Sequence, residues 1–128
     1  MTPFFRSGPI ISWIAWMAIL FVLSAQERPP QPDLGFSWGD KVQHAVVYAL
    51  LAYLTFRAAA VMPRLRRSPA LLFTFTLAWS ALYALSDEWH QSFVPGRNAS
   101  AFDWLADVLG AAIALAAVSW LRRRREGL

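Results

Sequence analysis

The sequence predicts an all-α fold, a four-helix transmembrane bundle with both termini cytoplasmic, on three observations. Its apolar residues, 57% of 128, fall in four long blocks rather than in the scatter of a water-soluble core, at a mean hydropathy of +0.37. Turn and loop signals separate the blocks. The basic residues alternate between abundant and scarce from one connection to the next. Residues 1–128 are expected to form a single domain, with spans at about residues 10–25, 42–61, 70–87 and 104–121.

The blocks Ile10 to Ala25, Val42 to Val61, Ala70 to Leu85 and Trp104 to Leu121 carry only Arg57 and Asp107 as charged residues. A helix of about 20 residues crosses a hydrocarbon core of roughly 30 Å, so the first and third blocks are slightly short. A soluble bundle would need polar outer faces, and the first, third and fourth blocks are apolar almost all round. The first block resembles a signal segment, with Arg6 before it and Ser24-Ala25 after it. Leu23, however, stands where a cleavage site wants a small residue, and the block is long for a signal core, so it is expected to be retained.

Residues 26–39 contain Pro29, Pro30 and Pro32. Proline has no amide proton and pushes its predecessor out of the helical region, so this stretch is expected as an outer loop that covers the outer face. Met62 to Ser68 is a short inner loop. Ser68-Pro69 reads as an N-cap and a first helical residue, which makes the second and third helices antiparallel neighbours. Val94-Pro95-Gly96-Arg97-Asn98 reads as a turn. In the fourth helix Gly110, Ala111, Ala114, Ala117 and Val118 form a thin face that permits close backbone approach, placing this helix at the centre of the bundle.

Nine of the twelve basic residues lie on one side: Arg6, Arg57, Arg64, Arg66, Arg67 and Arg122 to Arg125. Arg28, Lys41 and Arg97 lie on the other, with seven of the eight acids. Lys and Arg in short loops are retained on the cytoplasmic side, so both ends are expected there and the acids outside. Trp38, Trp89 and Trp104 then fall at the outer interface and Trp120 at the inner one. This assignment absorbs the high isoelectric point, near 10.3: Arg122 to Arg125 reads as a topology anchor and anionic-lipid contact, and no nucleic-acid motif accompanies it. With no cysteine, disulfides, thiol nucleophiles and thiolate metal sites are excluded.

The candidate site lies where three helix ends meet on the outer side. Asp40, His44 and Tyr48 recur every four residues and share a face. Ser80, Tyr83, Asp87 and Gln91 form a similar stripe, with Glu88 and His90 beside it, and Asp103 and Asp107 lie one turn apart. Ionisable groups at a bilayer edge call for partners, a ligand or a solvated cleft. Asp40 and Asp103 sit at helix starts, as caps or as site residues. Asp87 and Glu88 close an outward-running helix, where their charge opposes the dipole, which favours function over structure. His44 either hydrogen-bonds Asp40 or Asp87 or serves the site. His90 reads as interfacial. Arg97 suits either an ion pair with the acids or a phosphate.

Taken together, D-K-V-Q-H-A-V-V-Y from Asp40, D-E-W-H-Q-S-F-V-P-G-R from Asp87, then Asp103 and D-V-L-G from Asp107, resemble the VanZ family of small bacterial membrane proteins over about residues 36–115. The resemblance implies a four-helix integral protein of the bacterial cytoplasmic membrane and a cell-envelope role. The named member of that family is associated with low-level resistance to the glycopeptide teicoplanin. The family pattern marks Asp40, Lys41, His44, Tyr48, Asp87, Glu88, Gln91, Pro95, Arg97, Asp103, Asp107 and Gly110. Asp107 stands where many relatives carry Asn.

Two functions follow as expectations. In the first, the outer face binds or modifies a phosphate-bearing lipid, such as a polyprenyl-linked wall precursor or a phospholipid headgroup. Lys41 and Arg97 hold phosphate, with Asp40, Tyr48, Gln91 and Asp103 completing the ligand site. His44, Asp87, Glu88 and Asp107 are the candidates for acid–base work or for a divalent cation, which is the cofactor this donor set admits. In the second, the same charges form a closed network that locks helix ends and docks a protein partner. The chain carries no nucleophile elbow, phosphate-cradling glycine loop or H-E-x-x-H, which leaves enzymatic and non-enzymatic readings both open. Proton transport is disfavoured, because the inner halves of the helices offer no matching acid or histidine.

Overall fold

In the computed structural model, which describes residues 6–127, the chain forms four α-helices and, among the described residues, no strand. The outermost residues of the predicted domain, 1–5 and 128, lie outside them. The helices are α1 (Gly8–Ser24), α2 (Gly39–Ala60), α3 (Pro69–Gln91) and α4 (Ala101–Glu126), one for each apolar block. Where the sequence supplies caps, the helices use them. The Ser68 side chain accepts from the Leu71 N–H at 3.4 Å with Pro69 next in line. Ser100 opens α4 by accepting from the Phe102 N–H at 3.2 Å. Neither Asp40 nor Asp103 is the N-cap of its helix, but both lie in the first turn, where an acid complements the helix dipole.

Two of the four helices, α3 and α4, are long and apolar enough to cross a membrane, and α1 is a shorter apolar helix of 17 residues. Only 22% of the apolar stretch of α3, and likewise of α4, is buried inside the protein. Ile113, Leu109 and Leu82 instead face outward. Apolar helices this exposed suit lipid rather than water and point to a membrane protein. α2 is longer than α1 but carries Asp40, Lys41 and Arg57 and falls outside the membrane-length pair.

The packing corrects one expectation. α2 and α3 each touch all three other helices; α4 packs mainly on α2, then on α3, and makes no contact with α1. The thin face of α4 does its predicted work only at its N-terminal end, nearer the acids. Gly110 and Ala111 are buried, Ala114 and Val118 half-buried, and Ala117 exposed. A Cβ at Gly110 would stand 2.7 Å from the Cα and carbonyl carbon of Ala45 in α2, so the two backbones meet here with no room for a side chain.

Polar side chains fasten the helices at mid-depth. The Trp16 indole N–H donates to the Val47 carbonyl at 3.1 Å, joining α1 to α2. Tyr83 Oη donates to the Met17 carbonyl at 2.6 Å, joining α3 to α1. Trp104 donates to the Ala81 carbonyl at 3.0 Å, so it straps α4 to α3. Trp38, Trp89 and Trp120 are exposed. Thr55, Thr76 and Ser80 are fully buried, and each donates to the carbonyl four residues earlier in its own helix. Ser80 therefore satisfies itself locally and does not extend the polar stripe of α3.

Candidate functional site

The beginnings of α2 and α4 and the end of α3 come together at one end of the molecule, and their polar residues meet there. The α2 register gives each member of the Asp40, His44, Tyr48 stripe a partner on another element or close by. His44 Nδ1 lies 2.8 Å from Asp107 Oδ1 of α4, a distance that fits the ring N–H donating to the carboxylate. Tyr48, 1% exposed, donates through Oη to Asp87 Oδ2 of α3 at 2.9 Å. Lys41 Nζ bridges Asp40 Oδ2 at 2.7 Å and the carboxylate of Asp103 in α4. The acid expected to hold His44 was Asp40 or Asp87. Asp107 takes that place because the α2–α4 contact brings it a side-chain length from the ring.

Asp40 and Lys41 lie in the first turn of α2, ahead of its apolar run. Hydrogen bonding, to Asp103 first and Asp40 second, holds the Lys41 ammonium above the ordinary lysine range. The hydrogen bond from Lys41 in turn holds the Asp40 carboxyl below the usual aspartate value.

The remaining predicted site residues divide. Asp87, Glu88, Gln91, Asp103 and Asp107 are all buried. Glu88 Oε2 accepts from the Ser100 backbone N–H at 3.0 Å, tying the end of α3 to the start of α4, while Oε1 is buried without a partner. Asp107 Oδ2 is likewise buried and unpartnered. Among the described residues Arg97 forms no ion pair with an acid. Its Nη1 donates to the carbonyls of Leu23 at 3.3 Å and Gln26 at 3.1 Å, at and just past the end of α1, where carbonyls keep lone pairs free for such donors. The turn before it is the predicted one, with Gly96 at φ 79°. His90 stacks on Phe21 of α1, ring centroids 4.8 Å apart, apart from the acid cluster.

Two adjoining cavities open on this cluster. The outer, of about 360 Å³, is lined by Arg28, Asp40, His44, Gln91, Arg97 and Asp103 among others. The inner, of about 110 Å³, runs down between α1 and α2 and is walled by Leu20, Leu23 and Val47, with Tyr48 and Asp87 at its side. His44, Gln91 and Arg97 border both. The proline-rich loop forms part of the wall through Pro29 and Gln31, and Gln43 Nε2 pins it by donating to the Pro32 carbonyl at 2.7 Å. The loop thus packs over the end of the bundle where the acids gather.

A family model described as VanZ/LLP1 matches residues 4–122. The chain belongs to the VanZ/LLP1 family. The match takes in all of α1, beyond the residues 36–115 that carry the motifs, so the helix against which Arg97 closes is part of the VanZ pattern. No curated protein and no solved structure matches the chain. An asparagine in place of Asp107 would present an amide oxygen able to accept the same N–H from His44; the aspartate adds a charge and a second acceptor oxygen.

Sequence reasoning missed several residues around this VanZ site. Ser24, 2% exposed with an unpartnered hydroxyl, lines the inner cavity, yet in the sequence it is one small residue at the end of an apolar run. The Ser100 N–H and the Leu23 and Gln26 carbonyls are backbone groups, which side-chain spacing cannot single out. Arg28 was counted only for topology. Its place in a loop bent by three prolines was the available signal that it returns to the helix ends.

Proposed function

We propose that this VanZ-family protein binds the phosphate-bearing head of an amphiphile at the outer leaflet of the bacterial cytoplasmic membrane. A polyprenyl-linked wall precursor or a phospholipid would be the ligand, and glycopeptide susceptibility would change through envelope composition. In this reading the chain is a single four-span unit over residues 1–128 with both termini cytoplasmic, as the charge asymmetry favours. The observation that carries the proposal is the joining of a polar cavity to an apolar cleft through His44, Gln91 and Arg97. A charged head and the first carbons of a chain need such a pair of adjacent environments. Arg97 spends one nitrogen on the α1 carbonyls and keeps the rest of its fork for phosphate. Lys41, already held by two carboxylates, contributes less to phosphate than its charge alone suggests.

Binding of a polyprenyl phosphate to the detergent-purified protein, followed by tryptophan fluorescence and compared with the unphosphorylated polyprenol, tests this. The phosphate form should bind at least tenfold more tightly, and Arg97→Ala should remove most of that preference. Equal binding of the two, or none, would end the proposal.

The paired acids favour a second reading. The contacts of His44, Tyr48 and Lys41 with Asp107, Asp87 and Asp103 join α2 to α3 and α4, and a network of this kind can fix geometry for a docking partner. It predicts that Asp87→Asn lowers stability with no lipid or metal binding present to lose.

A further inference from the structure

We propose that His44 Nε2, a carboxylate oxygen of Glu88 and Asp103 Oδ2 together hold a divalent cation at the outer mouth of the helix bundle. The site goes beyond the lipid reading and stands without it. It also differs from the set the sequence suggested: Asp103 enters, and Asp87 leaves because it is turned to Tyr48.

Four features of the cluster support the assignment. One donor atom from each of the three residues lies within 4.8 Å of the other two, and His44 Nε2 is 3.8 Å from Asp103 Oδ2. Two ligands of one cation at about 2.1 Å stand up to about 4.2 Å apart, so side-chain movements of well under 1 Å complete the sphere. The imidazole is already oriented: Asp107 takes the Nδ1 proton at 2.8 Å, leaving the Nε2 lone pair turned toward the acids, the arrangement by which a carboxylate prepares a histidine ligand. Glu88 is 94% buried, given a 6% exposure, and its Oε1 has no partner, a costly state for a carboxylate unless something positive meets it. Finally, the division of labour on Asp103 leaves room for the ion, since Oδ1 meets Lys41 and Oδ2 faces His44. His44 and Asp103 line the outer cavity, which gives the cation its entry.

One imidazole with two carboxylates suits Mn²⁺ or Zn²⁺ better than Ca²⁺ or Mg²⁺. A cation here would also offset a crowded set of acids. Where a phosphate-bearing head is present, it would give that head a positive centre that Lys41 cannot fully supply.

The test uses chelator-stripped, delipidated protein in detergent, titrated with Mn²⁺ and followed by electron paramagnetic resonance of the free ion. One Mn²⁺ per chain should bind, with affinity lowered at least tenfold by Glu88→Gln and by Asp103→Asn, and about tenfold by Asp107→Ala. Asp87→Asn should leave it within a factor of about three. The parent itself should show nitrogen coupling from a histidine in pulsed spectra, a readout that survives any failure of a variant to fold. Stoichiometric binding without nitrogen coupling, uptake equal in parent and in the Glu88 and Asp103 variants, or no uptake overturns the proposal. Repeating the polyprenyl phosphate titration with and without Mn²⁺ separates the two ideas: Mn²⁺ bound with nitrogen coupling and no lipid bound sustains the cation site and defeats the lipid reading.

Discussion

Replacing Gly110 by alanine should force α2 and α4 apart, at the seam where both the fold and the site are held. The new Cβ would stand 2.7 Å from the Cα and carbonyl carbon of Ala45. Carbon atoms settle at about 3.5–4.0 Å, so the shortfall is roughly 0.8 Å or more, and it is set against backbone that no rotamer change can move aside. Ordinary overpacking costs about 1–3 kcal/mol, and a clash with backbone belongs at or above the top of that range. One turn away, the 2.8 Å contact of His44 with Asp107 spans the same seam and should lengthen beyond hydrogen-bonding reach. Thermal unfolding in detergent, followed by circular dichroism, should show a lower midpoint for Gly110→Ala. Gly8→Ala, where nothing lies within 4 Å of the added carbon, should stay within about 0.5 kcal/mol of the parent. A Gly110→Ala protein as stable as the parent would refute the close approach and the inter-helix geometry built on it.

Further outcomes follow from individual contacts. Tyr48→Phe leaves Asp87 Oδ2 without its 2.9 Å donor in a buried setting, and should cost about 1–3 kcal/mol by the same unfolding assay; no loss would mean the pair is idle. Lys41 gains its partners on folding and its pKa is raised, so its contribution is complete below the ordinary lysine value of about 10.4 and fades as pH rises through the higher folded value. Asp40 is shifted down, so its contribution holds above about 3.9 and fades as pH falls through the lower folded value. A stability–pH profile of Lys41→Met should therefore lose the alkaline decline and soften the acid one, and an unchanged profile would count against the Lys41 bridge. The chain has no cysteine, so single cysteines report topology directly: one at Asp33 should label in intact cells, and one at Arg66 only after permeabilisation. The reverse pattern would invert the proposed orientation.

The helices were legible because charge and proline interrupt the apolar blocks so sharply that each boundary has a local cause, as at Ser68-Pro69. Helix order around the bundle was not. A helix that is apolar on every side carries no stripe to show which face is buried, and so the small residues of α4 suggested a central helix while α2 and α3 are the ones that meet all the others. Periodicity brought Asp40, His44, Tyr48, Asp87, Asp103 and Asp107 to one end, since it sets rotation within each helix. It could not assign partners across helices, which depend on axial offset, and so His44 was matched with the wrong acid. Part of the Arg97 environment was hidden for a related reason. The ion pair its charge suggested does not form among the described residues; one nitrogen meets the Leu23 and Gln26 carbonyls instead, and backbone acceptors leave no mark in a sequence.

The most direct measurement is native mass spectrometry of the protein purified in mild detergent, beside folded Asp87→Asn and Arg97→Ala. The account predicts one phosphate-bearing lipid retained by the parent at the joined cavities and lost from Arg97→Ala, with Asp87→Asn weakened through the inner wall it shares with Tyr48. A parent that carries no specific lipid, while both variants merely unfold at lower temperature, would contradict it and leave the charged cluster as a lock between helices.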